Sequence, residues 1–176
     1  MPLAFPSHPG LVAPLWRKWP ARFDPLAVGL GAAVPDVVDA IAGIGRGHLG
    51  QWYGHSVLGL FLLDVPATLL LVALARKIPH ARIRALPRAS LPILAFGAWI
   101  GALSHIVSDF VSHETFVLLL PWYPYARVFP ARWYERWFEV PLPGYREPYP
   151  VGPHFVMWCA LSVAGAILFF RRPRAQ

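Results

Sequence analysis

The chain has 176 residues, a length that suits one domain. It is 56% hydrophobic and only 14% charged, and its mean hydropathy is +0.46, whereas a soluble domain usually has about 25% charged residues. This composition excludes an ordinary soluble domain and indicates an integral membrane protein. The net charge is +7, but the basic residues lie beside apolar stretches. That distribution is typical of membrane topology and does not indicate nucleic-acid binding.

Long apolar stretches, some interrupted by proline, recur along the chain and are separated by polar segments. Each is long enough to cross a bilayer core of about 30 Å. We therefore predict an all-α fold, a polytopic helical membrane bundle that forms one domain over residues 1–176. It should have about four membrane-crossing helices and short interfacial helices. The predicted spans are residues 23–44, 57–75, 91–112 and 153–170.

The segments outside these spans are rich in proline and aromatic residues. Residues 1–10 are predicted to be irregular and residues 11–22 to form a short helix at the membrane surface, so that both belong to an N-terminal interfacial segment. Residues 113–152 are predicted to be an extracytoplasmic loop with a short helix near Pro130–Phe138.

Basic residues form three clusters, which fall on one side of the membrane if the chain crosses four times. The clusters lie within residues 17–22, 76–90 and 171–174. Because cytoplasmic loops carry an excess of Lys and Arg, we place this side in the cytoplasm together with the C-terminus. The predicted location is the bacterial cytoplasmic (inner) membrane, with the lipid bilayer as the partner of the chain.

Pro35 interrupts the first apolar stretch, and Asp36 and Asp39 follow it at once. Proline breaks or kinks a helix, and the freed backbone groups must then face protein or a cavity. Proline followed by an acid is also a common way to restart a helix. Asp36 is therefore either a helix-start residue or a site residue, and Asp39 is interpreted as a local polar partner.

The third span carries a row of residues at four-residue spacing, namely Gly97, Gly101, His105, Asp109 and His113. Residues four apart lie on one helix face. The glycines predict close approach of another helix, and the other end of the row offers imidazole, carboxylate and imidazole. An ionisable group in a membrane costs about 3 kcal/mol on insertion scales. The row is therefore either a polar seam between helices or a metal site.

Imidazole together with carboxylate is the ligand mixture of zinc, and also of manganese or iron. Asp36, His55, His105 and Asp109 supply two nitrogens and two acidic oxygens, which is enough for one ion. A carboxylate such as Asp109 can bridge to a second ion. The candidates for the remaining ligands of that second ion are His8, His113 and His154.

These motifs occur in a recognisable order along the chain. They are a Phe-x-x-His-Pro at Phe5 to Pro9, a Pro-Asp at Pro35 and Asp36, a Gly-His-Ser at Gly54 to Ser56, and a Ser-His-x3-Asp-x3-His-Glu from Ser104 to Glu114. The combination resembles domain-of-unknown-function family 4184, a family of bacterial integral membrane proteins. Ser112 stands where the family has threonine. A histidine that opens the final helix also recurs, and His154 matches it.

The resemblance implies a membrane-bound metal-dependent hydrolase. More distantly, the family is similar to zinc phospholipase C and the single-strand-specific nucleases, which are all-α zinc phosphoesterases. Those enzymes have an acid four residues after a late histidine, whereas here Trp158 follows His154 at that spacing, so one or two ions are expected. The metal ligands that the resemblance implies are His8, Asp36, His55, His105, Asp109 and His113.

The expected function is therefore a hydrolase, acting as a phosphoesterase on a lipid or lipid-linked phosphate. Its cofactor would be a divalent metal, with zinc as the expected ion. His113 or Glu114 would act as the catalytic base, and Arg46 or Arg127 would hold the phosphate. The alternative is a non-catalytic integral membrane protein whose His and Asp residues form a structural polar or metal site.

Overall fold

The computed structural model is almost entirely helical, which confirms the all-α prediction. It describes residues 4–46, 51–113, 117–122, 129–141 and 148–171. The α-helices are α1 (Ala4–Lys18), α2 (Pro25–Gly31), α3 (Val34–Arg46), α4 (Val57–Gly59), α5 (Val65–Ala75), α6 (Ala81–Arg84), α7 (Leu91–Ser112) and α8 (Pro153–Phe170).

Three helical stretches are long and apolar enough to cross a membrane, and a bent pair of helices gives a fourth if it counts as one span. The three are Val57–Ala75, Leu91–Ser112 and Pro153–Phe170. The bent pair, Pro25–Gly31 with Val34–Ile44, turns by 43° at its break. All four lie within the predicted spans to within a few residues at each end.

The first span is broken because its sequence ends one helix and starts another. Asp24 caps α2, since its Oδ1 accepts a hydrogen bond from the Ala27 N–H at 2.9 Å, and a proline follows at the first helical position. Helix α2 ends at Gly31. Helix α3 then starts with Pro35 and Asp36 in its first turn. The predicted break and the predicted restart are both confirmed.

The second span, Val57–Ala75, is one helical stretch with a wider turn inside it. Ser56 caps its start, because the Ser56 Oγ accepts a hydrogen bond from the Gly59 N–H at 2.9 Å. A π-helical turn, Leu60–Asp64, then connects α4 to α5. One row of this span is fully buried and contains two polar members. The row is Leu60, Asp64, Thr68 and Val72.

Helices α2 and α7 approach each other backbone to backbone. A Cβ atom added to Gly101 would lie 2.3 Å from the Val28 carbonyl oxygen, and one added to Gly31 would lie 2.5 Å from the Ala98 carbonyl oxygen. No side chain larger than hydrogen fits at these points. The predicted close approach at the glycine end of the α7 row is confirmed, and it brings the polar end of that row beside the α2–α3 break.

Helix α1 corrects the prediction that residues 1–10 are irregular, because the helix already begins at Ala4. It contains prolines that remove backbone donors, yet tertiary contacts with α8 hold it. A Cβ atom added to Gly10 would lie 1.8 Å from the Gly165 carbonyl oxygen. The Ser7 hydroxyl donates to the Ser162 carbonyl at 3.0 Å. Close packing of this kind overrides the local preference of proline.

Two arginines connect helix ends at the end of the bundle that lies away from His55. The Arg17 guanidinium donates to the carbonyls of Leu168 and Phe169 at 2.7 and 2.9 Å, where α8 ends. The Arg76 Nη2, after the end of α5, lies 2.6 Å from the Asp24 Oδ2 at the start of α2. We call this end of the bundle, marked by Arg17 and Arg76, the basic end.

The predicted loop at residues 113–152 contains more regular secondary structure than the sequence predicts. A short 3₁₀ helix, Ala131–Tyr134, lies within the predicted helix near Pro130–Phe138. Two short antiparallel strands follow, β1 (Phe138–Val140) and β2 (Tyr149–Val151), with Phe138 opposite Val151. The sequence analysis does not predict these strands, since each has only three residues.

Candidate metal centre

Four residues from three parts of the chain bring one ligand atom each to a common point. They are Asp36 in the first turn of α3, His55 before α4, and His105 and Asp109 one turn apart on α7. The four ligand atoms all lie within 4.8 Å of one another. This group contains every residue that the sequence analysis assigned to the first ion, and its size is that of a metal site.

The Gly-His-Ser motif places His55, and each of its residues has a structural task. Gly54 lets the chain approach α3, since an added Cβ would lie 2.6 Å from the Pro35 carbonyl oxygen. The Gly54 N–H donates to the Asp39 Oδ1 at 2.8 Å, and the His55 Nδ1 lies 2.7 Å from the Asp39 Oδ2. Ser56 starts the next helix. Asp39 therefore orients His55, as the interpretation of a local polar partner predicts.

His105 is oriented by the break between α2 and α3. Its Nδ1 lies 2.8 Å from the Ala32 carbonyl oxygen, which follows the last residue of α2. Carbonyls at a helix end lack intrahelical partners, so this one is available to accept a hydrogen bond. The side chain of His105 is fully buried. Because a carbonyl only accepts, the Nδ1 carries the hydrogen and the Nε2 presents a lone pair.

The two imidazoles point their Nε2 atoms at each other, 3.1 Å apart. In each neutral ring the Nδ1 hydrogen is committed to an oxygen acceptor, Asp39 for His55 and Ala32 for His105. Two nitrogen lone pairs at this distance repel unless a proton or a cation lies between them. Nitrogens bound tetrahedrally to zinc at about 2.05 Å lie about 3.3 Å apart, close to the separation observed.

The two carboxylates complete the group. The Asp36 Oδ1 lies 3.4 Å from the His55 Nε2 and 3.6 Å from the His105 Nε2. The Asp109 Oδ2 lies 3.1 and 3.7 Å from the same two nitrogens. The second oxygens, Asp36 Oδ2 and Asp109 Oδ1, are buried and form no hydrogen bond within the described residues. Buried carboxylate oxygens without donors fit a bound cation.

His8 reaches the centre from α1, on the Oδ1 side of Asp109. Its Nε2 lies 3.4 Å from that oxygen, and its ring centroid lies 3.8 Å from that of His105. Its Nδ1 lies 2.8 Å from the Ser108 Oγ, whose own hydrogen is donated to the His105 carbonyl. Burial and the neighbouring His105 lower the pKa of His8 to about 4. Its ring is therefore neutral at neutral pH, with the Nε2 lone pair facing Asp109.

His113 and Gln51 contact the other oxygen of Asp109. The His113 Nε2 lies 3.2 Å from the Asp109 Oδ2, and the Gln51 side-chain amide donates to the same oxygen at 3.0 Å. His113 is partly exposed, so it lies at an accessible edge of the centre. The sequence analysis did not select Gln51, whose only signal is its position in the short loop before His55.

The carboxylates set the electrostatics of His55. Burial opposes its protonation, but hydrogen bonds to Asp109, Asp36 and Asp39 raise the pKa of His55 well above its ordinary value. The same negative surroundings that attract a proton also attract a metal cation, so the two compete for this nitrogen.

Most of the residues predicted for the site lie together in the structure. The four convergent residues are joined by His8 and His113, which both contact Asp109. His154 is fully buried near the start of α8 but is not one of the four. Glu114 and Arg127, and the side chain of Arg46, lie outside the described part of the chain.

Comparison with known proteins identifies the family. The profile described as Domain of unknown function (DUF4184) matches residues 1–136 of the 176. The chain belongs to the DUF4184 family. The matched region of this DUF4184 protein holds all six predicted metal ligands, and the last span lies beyond it. No curated protein and no solved structure matches the chain.

Proposed function

We propose that this DUF4184 protein is a membrane-bound metal-dependent hydrolase that cleaves phosphate esters of lipids or lipid-linked molecules. The observation that carries the proposal is the pair of His55 and His105 Nε2 lone pairs, aimed at one point between the carboxylates of Asp36 and Asp109. This donor set suits zinc. The apolar helices support a substrate that reaches the centre from the bilayer.

The chain supplies further groups at Asp109. A divalent ion held there would polarise a phosphoryl oxygen and lower the pKa of a coordinated water. Asp109 is positioned to bridge, since its Oδ2 faces His55 and its Oδ1 faces the His8 Nε2. In this proposal His8 binds a second ion. His113, which is partly exposed, transfers a proton at its Nε2 or binds that ion, and Glu114 is the other candidate base.

Elemental analysis of the purified protein tests metal binding. We expect about one or two equivalents of zinc in the wild type and a large loss in His105→Ala and Asp109→Asn, because each removes a ligand atom. The matched control is His80→Ala, a histidine exposed in the loop before α6, which should retain wild-type metal content. A wild type without bound metal, whose stability is unchanged by a chelator, would contradict the proposal.

Hydrolysis is tested with the zinc-loaded protein in mixed micelles that contain phosphomonoester and phosphodiester lipids, with products followed by phosphorus NMR. We expect turnover of one ester class by the wild type. Asp109→Asn should abolish it, and His113→Ala should slow it by about 10²–10⁴-fold if His113 transfers the proton. His80→Ala should match the wild type.

A second candidate function, a structural metal site, has one observation in its favour. Asp36, His55, His105 and Asp109 already provide four protein ligands, and structural zinc sites are usually closed in this way whereas catalytic ones keep an open position. This candidate predicts metal content and metal-dependent stability as above, but no turnover of any ester lipid by the zinc-loaded wild type. The micelle assay therefore distinguishes the two functions.

A further inference from the structure

A second polar group lies inside the membrane-spanning region and takes no part in the metal centre. Asp64, at the end of the π-helical turn, has no exposed surface. Neither of its carboxylate oxygens has a hydrogen-bond partner, and it forms no ion pair within the described residues. A bare carboxylate in a dry membrane interior is costly, so Asp64 must either carry a proton or have a cation beside it.

Thr68 provides a neighbouring oxygen that is also buried and without a hydrogen-bond partner among the described residues. It lies one helical turn after Asp64 on the buried row of the second span, has no exposed surface, and its Oγ1 has no hydrogen-bond partner in the described structure. Hydroxyls in helices commonly bond to the carbonyl four residues earlier, and this one does not. Three unpartnered oxygens therefore lie on one face, a donor set that suits a hard cation.

The main chain beside Asp64 is also suited to binding an ion. The Val65 N–H bonds to the Leu60 carbonyl, five residues back, and the next residue, Pro66, has no N–H to donate. A main-chain carbonyl in this turn therefore lacks a helical donor. π-helical turns often mark functional sites, and interrupted membrane helices coordinate Na⁺ through such carbonyls.

The charge of the site favours a monovalent ion. When ionised, Asp64 provides one negative charge, and one such charge balances one Na⁺ without leaving a net charge in the membrane interior. Asp39, His55 and His105 act electrostatically on Asp64; the two histidines belong to the metal centre, and Asp39 orients one of them. A bound cation would therefore interact electrostatically with that centre.

We propose that Asp64 and Thr68 form a site for a small monovalent cation, Na⁺, within the second membrane span. Both Asp64 oxygens and the Thr68 hydroxyl bind the ion, and main-chain carbonyls of the π-helical turn complete its shell. The site is separate from the divalent metal centre and does not depend on the hydrolase function.

Thermal unfolding of the purified full chain in NaCl, compared with choline chloride at equal ionic strength, tests this site. We expect Na⁺ to raise the unfolding midpoint of the wild type saturably, because an ion that binds only the folded state stabilises it. Asp64→Asn and Thr68→Val should weaken Na⁺ binding by about tenfold or more, equivalent to about 1.4 kcal/mol. Thr68→Ser retains the hydroxyl and should preserve the Na⁺ response.

Two results would overturn the proposal. One is a wild type whose unfolding midpoint is the same in Na⁺ and in choline. That result would mean that water or a proton, and not Na⁺, satisfies Asp64. The other is a Thr68→Val variant with the same Na⁺ response as Thr68→Ser, and this pair decides the matter even if Asp64→Asn does not fold. Zinc content measured on the same samples keeps this result separate from that of the metal centre.

Discussion

At the scale of single residues, Asp39 determines which nitrogen of His55 faces the centre. It contributes no ligand atom of its own, but it accepts hydrogen bonds from the backbone N–H groups of Trp52 and Gly54 and from the His55 ring. These bonds fix the carboxylate, and the carboxylate fixes the ring. Partners of this kind also raise the basicity of the ligand nitrogen.

We therefore expect Asp39→Asn to weaken zinc binding by about 10–100-fold while the protein remains folded. The amide can still accept one hydrogen bond, but it carries no charge to support the imidazole. Competition with a chelator of known affinity measures the change. Glu139→Gln makes the same chemical change at an exposed strand position and should leave the affinity as it is. Equal affinity in Asp39→Asn and the wild type would contradict this role.

The sequence predicts the residues that converge at the centre better than it predicts the groups that orient them. His105 and Asp109 are found by their spacing on one helix, and His55 by the Gly-His-Ser motif that occurs in order with the other motifs. The Ala32 carbonyl that orients His105, and Gln51 at Asp109, have no sequence pattern. They meet the ligands only after helices from distant parts of the chain have packed.

At the scale of helices, the contact between α2 and α7 sets the position of the centre. Gly101 lies one turn before His105, and an added Cβ would collide with the Val28 carbonyl. We expect Gly101→Ala to lower the free energy of unfolding by about 1–3 kcal/mol, and to reduce zinc content because it separates His105 from the α2–α3 break. Denaturation in detergent and elemental analysis measure the two effects.

Gly29 provides a matched control on α2, because an added Cβ there meets nothing within 4 Å. Gly29→Ala should leave the stability unchanged or raise it by about 0.5–1 kcal/mol, since alanine is the better helix former. If the two alanine variants behaved alike, the tight contact between α2 and α7 would not hold.

The predictability of each element follows from its physical origin. The membrane spans can be predicted from the sequence because the length of an apolar stretch is enough to define them. The start of α1 cannot be predicted in this way, because proline argues against a helix and the compensating contacts with α8, such as that between Gly10 and Gly165, are tertiary. The strands β1 and β2 are too short to show an alternating pattern.

At the scale of the whole molecule, the arginine contacts place Arg17 and Arg76 at one end of the bundle. His55 precedes the second span and Asp109 lies in the last turn of the third, so the metal centre lies toward the other end. The positive-inside rule assigns the basic end to the cytoplasm. The predicted inner-membrane topology therefore puts the centre toward the extracytoplasmic side.

Reporter fusions measure this orientation. We expect a C-terminal alkaline phosphatase fusion, which is active only outside the cytoplasm, to be inactive, and a C-terminal fluorescent protein to be bright. Insertion of the same phosphatase within residues 142–147, between β1 and β2 in the sequence, should be active. The opposite pattern would show that the basic end faces outward.

The burial of the ligands has a consequence for how the ion is acquired. His55 lies before the second span whereas His105 and Asp109 share α7, and all three have almost no exposed surface, so a bound ion would not leave until these two segments part. Its residence time would follow the opening rate of the bundle. Stripping by excess chelator should then reach a limiting rate that more chelator does not increase, and loading would be easiest while the chain is still being inserted and its helices have not yet closed.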